Sequence, residues 1–181
     1  ISNCSNNYGP YQHPEKLVPL CILSALNEKT IPIYGDGKQM RDWLFVGDHC
    51  IALLKILMHG QLGESYLVGT GKPIENLALV QLICKELDLL YPRKFGKSYA
   101  ELIVHAEDRP GHDKRYAVNP RKIRDELDWR SNIDIGEGIR KTINWYLQNR
   151  SWWEPLIVRD AALDRKGLAL VQSKSGNPAD A

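Results

Sequence analysis

The sequence predicts a mixed α/β fold, with short scattered strands between amphipathic helices. Three observations carry this: apolar residues recur at helical steps of three and four in several segments, short β-branched or aromatic runs end at Gly turns, and no repeat or heptad appears. At 181 residues, with 43% hydrophobic and 25% charged side chains, the chain can bury a core and is not a disordered polyampholyte. Helices outnumber strands, which fits a substrate-binding lobe better than a complete doubly wound sheet.

Taken in order, Ile1-Ser2-Asn3-Cys4 reads as the end of a strand entering a loop, and from this a preceding half is expected. Residues 5–14 combine Asn, Gly and two prolines and read as loop. From Lys16 to Asn27, Leu17, Leu20, Cys21 and Leu23 give a helical stripe, with Pro19 tolerated in the first turn. Thr30–Tyr34 reads as a strand, Gly35-Asp36-Gly37 as a turn, and Arg41–Val46 as a second strand. A helix follows from Asp48 to His59, ending near Gly60. Ser65–Val68 is strand-like, and Glu75–Leu90 is an amphipathic helix. Residues 91–101 read as a basic loop and Leu102–His105 as an edge strand. Asn119 is suited to cap a helix with Pro120 at its first position, running to about Leu127. Ile135–Gln148 forms the last clear helix, capped by an apolar cluster of Trp152, Trp153, Pro155 and Leu156. Composition changes after Val158, so the expected organisation is one unit over 1–157 and a disordered tail over 158–181.

Several function classes recede at once. A net charge of +2, with alternating signs, gives no electrostatic footprint for nucleic acid. No apolar run approaches the roughly 20 residues of a membrane span. The four cysteines form no C-x-x-C pair and no histidine sits at ligand spacing from them, so reduced, buried thiols are expected and no metal site. Gly35-x-Gly37 and Gly69-x-Gly71 lack the third glycine of a dinucleotide loop and read as turns. Tyr34 and Lys38 have a Tyr-x-x-x-Lys spacing, but the intervening turn keeps them off one helix face.

Three segments retain chemistry. Asn6-Asn7 offers paired carboxamides at a strand end. Arg41-Asp42-Trp43 opens a strand with an arginine close to an aromatic residue, which suits bidentate phosphate recognition, although an internal Arg–Asp pair is the plainer reading of that segment alone. Asp108-Arg109-Pro110-Gly111-His112-Asp113 presents Arg and His from a tight loop. Two arginines on separate loops suit a diphosphate.

Together with Asn3-Cys4-Ser5, Tyr8-Gly9-Pro10, Pro14-Glu15-Lys16-Leu17, Pro32-Ile33-Tyr34-Gly35 and Leu44, these segments occur in an order that resembles the C-terminal half of the dTDP-glucose 4,6-dehydratases. These form a nucleotide-sugar branch of the extended short-chain dehydrogenase/reductase family. The resemblance covers about residues 1–157. It implies a Rossmann-type parent whose smaller mixed α/β lobe is represented here, with its NAD-binding portion preceding Ile1. It implies a lyase that converts dTDP-glucose to dTDP-4-keto-6-deoxyglucose in deoxysugar biosynthesis. NAD oxidises the sugar at C4, water leaves across C5 and C6, and the hydride returns to C6.

By the same resemblance Asn6 contacts substrate and Asn7 contacts NAD. Lys16 and Leu17 begin a helix beside the sugar nucleotide, and Pro32, Ile33 and Tyr34 lie against the thymine. Arg41 and Asn76 hold the diphosphate and its ribose end. Asp108, Arg109, Pro110, Gly111 and His112 form a loop over the nucleotide, with Arg109 the second diphosphate cation. The family's Gly-rich loop, Thr-Asp-Glu trio and Tyr-x-x-x-Lys helix have no counterpart in the sequence, so no catalytic residue is assigned and the isolated chain is expected to be inactive. Gly47 stands where the family carries an acidic residue, which is expected to loosen the next helix start. A cytoplasmic homodimer, paired through the preceding half, is also implied. Rival readings are a non-catalytic nucleotide-sugar binding module, half of a split enzyme, a CDP- or UDP-sugar dehydratase or epimerase half, and a truncated product that does not fold.

Overall fold

A computed structural model describes residues 1–108 and 110–160, with side chains to residue 157. Arg109 and the expected tail from residue 161 onward lie outside the described residues. The helix over Arg150–Asp160 runs across the expected boundary at 157/158 and carries Pro155 within it.

The chain opens with two strands, β1 (Ser2–Cys4) and β2 (Asn6–Tyr8), followed by α1 (Leu17–Leu26) and β3 (Ile31–Tyr34). β2 corrects the expectation of a loop over residues 5–14. Asn has low strand propensity, but β2 pairs in parallel with β5 (Trp43–Phe45), a partner that local sequence cannot reveal. The expected strand Arg41–Val46 is in fact two, β4 (Met40–Arg41) and β5, broken at Asp42. Its last residue, Val46, already belongs to α2 (Val46–His59). Gly47 therefore lies inside the first turn, not ahead of the helix.

Next come β6 (Tyr66–Val68), β7 (Ile74–Glu75) and α3 (Asn76–Leu90). The basic segment after α3 contains two short 3-10 turns, Lys94–Gly96 and Tyr99–Leu102. β8 (Ile103–Ala106), β9 (Arg115–Tyr116), α4 (Arg121–Leu127), α5 (Ile135–Gln148) and α6 (Arg150–Asp160) complete the described chain. Pro120 occupies the N-cap of α4, one residue later than expected, while the Asn119 side chain still accepts from the Arg121 amide at 3.1 Å.

Four small sheets result. β1 pairs with β6, β2 with β5 and β3 with β8, each in parallel. In the fourth, β4 sits between antiparallel β7 and parallel β9. The larger core lies under β3, where Ile22 and Leu23 of α1 meet Leu79 and Ile83 of α3 and Ile139 and Ile143 of α5. A smaller core gathers Leu44, Ala52, Tyr66, Val68, Ile123 and Trp129 beneath α2 and α4.

All four cysteines are free. Cys21 and Cys84 are buried as expected, and burial pushes the Cys84 thiol up to about 12. Cys50 is exposed, contrary to expectation. α2 is apolar on more than one face, so its pattern does not identify the buried side. No group of metal-ligating side chains occurs among the described residues, nor does any helix long and apolar enough to cross a membrane.

Candidate functional site

The site forms around β4. Strand alternation sends Arg41 and Asp42 to opposite sides. Asp42 is fully buried and accepts from the Thr70 amide at 3.2 Å, the Gly71 amide at 3.1 Å and the Thr70 hydroxyl. Gly69 permits this approach, since a Cβ there would lie 2.4 Å from Asp42 Oδ2. Arg41 is 8% exposed and donates to the Met40 carbonyl at 2.8 Å. No carboxylate among the described residues pairs with it, so the internal Arg–Asp pair of the plainer reading does not form. A largely buried guanidinium without a counter-ion is poised for an anion.

Asn76 opens α3 next to this strand. The register sets Met40 opposite Glu75 and Arg41 opposite Ile74, and the Asn76 amide donates to the Gln39 carbonyl at 3.0 Å. Asn76 Oδ1 is buried without a partner, and no side chain caps the 15-residue helix. An open acceptor, an open cation and the positive end of a helix dipole therefore converge.

Beside β4 lies a cleft of about 420 Å³ lined by Asp36, Lys38, Gln39, Asp108, His112 and Lys114. The Tyr34 ring meets His112 edge-on, with centroids 6.5 Å apart, which joins the end of β3 to the loop after β8. His112 Nδ1 lies 2.8 Å from Asp108 Oδ1. Gly111 adopts φ +70° with open space around its α-carbon, a conformation that favours glycine. Pro110 beside it is exposed, and Arg109 falls outside the described residues. Pro32 and Ile33 pair with Val104 and His105 across β3 and β8, and the Ile33 side chain is buried in the larger core.

Asn6 and Asn7 sit on β2 opposite Trp43 and Leu44, directly beyond Arg41 and Asp42. The Asn6 amide donates to the Asp42 carbonyl at 3.0 Å. Asn7 Nδ2 donates to Cys4 Sγ at 3.1 Å and the Ser5 carbonyl at 3.2 Å, which leaves its buried Oδ1 unpaired. Lys16 caps α1 and pairs with Glu15 at 3.0 Å on the surface, and Leu17 begins the helix. No hydrogen bond ties these two to Arg41, Asn76 or Asp108. Thus Arg41, Asn76, Tyr34, Asp108 and His112 gather around β4, Asn6 and Asn7 extend that line along β2, and Lys16 and Leu17 stand apart.

Gln39 is the residue that the motifs do not mark. It is 7% exposed, lies in the cleft, and donates from Nε2 to Asp108 Oδ2 at 3.2 Å. Its signal was positional, two residues before Arg41 in an extended segment and hence on the same face. A second cavity, of about 200 Å³, lies beside Arg93, but its cation is already engaged by Glu28 and the Ser98 carbonyl.

An unpaired arginine, open carboxamides and a polar cleft, with the Tyr34 ring against its His112, are groups that can receive a polar, anionic ligand. The sequence matches the family model described as GDP-mannose 4,6 dehydratase over residues 1–142, and the chain belongs to that family. It is 48% identical over 166 residues to a dTDP-glucose 4,6-dehydratase of Xanthomonas campestris pv. campestris, covering 92% of this chain and 47% of that protein. It is 51% identical over 154 residues to one of Escherichia coli, covering 85% and 42%. Among solved structures, the dTDP-glucose 4,6-dehydratase of Bacillus anthracis in complex with NAD superimposes with a TM-score of 0.75 at 42% identity, covering 86% of this chain and 47% of that one. The Streptomyces venezuelae enzyme with NAD and TYD bound gives 0.77 at 40% identity, covering 86% and 46%. The chain spans about half the length of the curated relatives it matches.

Proposed function

We propose that this chain is the C-terminal, sugar-nucleotide-binding half of a dTDP-glucose 4,6-dehydratase, a lyase that converts dTDP-glucose to dTDP-4-keto-6-deoxyglucose. The observation that carries this is Arg41, largely buried and without a carboxylate, beside the open Oδ1 of Asn76. In this reading Arg41 and Arg109 neutralise the diphosphate, and Asn76 accepts from a ribose hydroxyl. The wall of Pro32, Ile33 and Tyr34 takes the thymine, with Asp108, Pro110, Gly111 and His112 along its edge. Asn6, Lys16 and Leu17 border the sugar. Residues 1–157 form the binding unit.

NAD fits one feature of this chain: the buried, unpaired Oδ1 of Asn7 within β2 offers an acceptor for an N–H donor. When bound, NAD supplies hydride transfer to and from the sugar. The chain's own residues bind and orient the nucleotide, and the acid–base groups come from elsewhere in the enzyme. The 181 residues alone therefore turn over no substrate. The enzyme is a cytoplasmic homodimer in this reading, joined outside the nucleotide cleft.

Calorimetric titration with dTDP tests the assignment. Arg41→Ala is expected to weaken binding by at least tenfold, as loss of a charge-assisted bond requires, and Arg109→Ala should act in the same direction. Competition against UDP, CDP and GDP tests the base, GDP because the matching family model carries a guanine nucleotide in its description. Tighter binding of any of these than of dTDP overturns the thymine assignment, and turnover by the isolated chain overturns its predicted inactivity.

A further inference from the structure

We propose that Gln39 is a positioning residue of the nucleotide site, acting through Asp108, whose carboxylate it holds in the orientation that receives the ligand. This rests on the nucleotide-binding reading of the cleft. Asp108 is gripped from two sides: Gln39 Nε2 lies 3.2 Å from Oδ2, and His112 Nδ1 lies 2.8 Å from Oδ1. The turn at Gly35 makes room for it. A Cβ at Gly35 would lie 2.9 Å from Asp108 Oδ2, and the turn's φ of +58° suits glycine.

Gln39 is well placed for this task because its backbone is fixed on both sides. Its carbonyl receives the Asn76 amide at 3.0 Å, and the next residue, Met40, donates to the Lys114 carbonyl at 2.8 Å. The Gln39 side chain therefore links the strand carrying Arg41 to the loop carrying Asp108 and His112. The orientation of its amide is set by chemistry. A carboxylate only accepts, so the NH₂ group must face Asp108. The cost is visible at the other end, where Gln39 Oε1 is buried and unpaired. Leaving an acceptor unpaired is unfavourable, and the fold tolerates it to keep the donor on Asp108.

Replacing the donor by an acceptor should reverse the latch. In Gln39→Glu, two carboxyl groups would meet within hydrogen-bond distance and repel when both are ionised. On acidification the pair takes up a shared proton and the hydrogen bond returns. Among the described residues, charged or titratable groups near Asp108 include Glu107 and His112 on its own segment, Asp36 and Lys38 from the β3–β4 turn, and Lys114 at the loop's end. His105 adjoins through the Gly35 carbonyl, at 2.8 Å. All are retained in the variant, so each pH is compared with wild type at that pH.

The test has two readouts on the full chain, dTDP affinity and amide hydrogen exchange of residues 106–113 without ligand. Gln39→Met, which keeps length but drops the donor, is expected to weaken dTDP binding roughly fivefold, the loss of one hydrogen bond, and to speed exchange in the loop. Gln39→Glu should weaken binding by more than tenfold at pH 8 and recover most of that loss at pH 5.5, a pH-dependent rescue that a merely structural role would not produce. Wild-type affinity and exchange in Gln39→Glu at pH 8 overturn the proposal. If wild type itself binds no dTDP, the nucleotide reading fails. Loop exchange then decides the latch alone: unchanged exchange in both variants overturns it, and faster exchange at pH 8 that slows at pH 5.5 in Gln39→Glu upholds it.

Discussion

The two cores of this chain are built to different standards. Around β3, helices α1, α3 and α5 close over a parallel strand pair, and Ile22, Leu79, Ile83 and Ile143 are fully buried. Around β1 and β6, α2 buries Ala52 and Asp48 but turns Leu54, Leu57 and Met58 outward, at 58%, 82% and 70% exposure. Leu62, just past the helix, is fully exposed. Parallel strands are ordinarily covered on both faces, and a cluster of large apolar side chains at the surface is uncommon in a monomer. The cleft beside β4 borders the well-covered core. The region that can hold its own shape is therefore the one that carries the unpaired cation and carboxamides.

Core truncation gives the sharpest test of this contrast. Ile83→Ala is expected to cost about 3 kcal/mol in urea unfolding, since it opens a cavity in a closed core. Leu57→Ala should cost less than about 0.5 kcal/mol, as an exposed substitution does. An equal cost at both positions would break the comparison, because Leu57 would then be covered in solution. The joint between the regions comes next. Asp42→Ala leaves two part-buried amides and a hydroxyl without their shared acceptor, and a loss of about 2 kcal/mol is expected by the same measurement. Its effect on dTDP affinity should exceed that of Leu57→Ala, because Asp42 adjoins Arg41. Leu57→Lys, smaller still in stability, is expected to leave the unfolding midpoint nearly unchanged and to reduce light scattering on concentration.

Much of this was legible in the residues, for reasons that differ by element. Helical periodicity located α3 and α5, because each buries a single stripe, and it located α1 although that helix is buried on most of its surface. It failed to orient α2, whose Ile51, Leu54, Leu57 and Met58 oppose an inner face that is no more apolar. β2 was hidden because its pairing partner lies 37 residues away in sequence and Asn6-Asn7 favours turns. Arg41 was readable as a candidate anion ligand, but its freedom from Asp42 was not. That depends on strand alternation and on the distant Thr70-Gly71 amides. Gln39 had no motif to mark it, and its role emerges only when the loop of Asp108 folds back 69 residues later.

The smallest effects are electrostatic, and each region offers one. Glu28 beside the larger core bonds Arg93 Nε at 3.0 Å through both oxygens, and this hydrogen bond holds its carboxyl below the usual range. Glu64 near β6 bonds Lys122, with the same direction and cause. A carboxylate lowered in the folded state contributes stability above its unfolded value, near 4.5, and loses it as pH falls through the lowered folded value. The melting-temperature gap between wild type and Glu28→Gln should thus be present at pH 7 and vanish in acid, and Glu64→Gln should behave likewise. Salt separates the two. The Arg93 side chain is 8% exposed and also bonds the Ser98 carbonyl, whereas Lys122 is 34% exposed. Added salt at pH 7 should therefore erase the Glu64 gap first. A Glu28 gap that disappears at the same salt concentration would mean that Arg93 is no better shielded than Lys122, and that the coverage seen around the larger core stops short of its surface pairs.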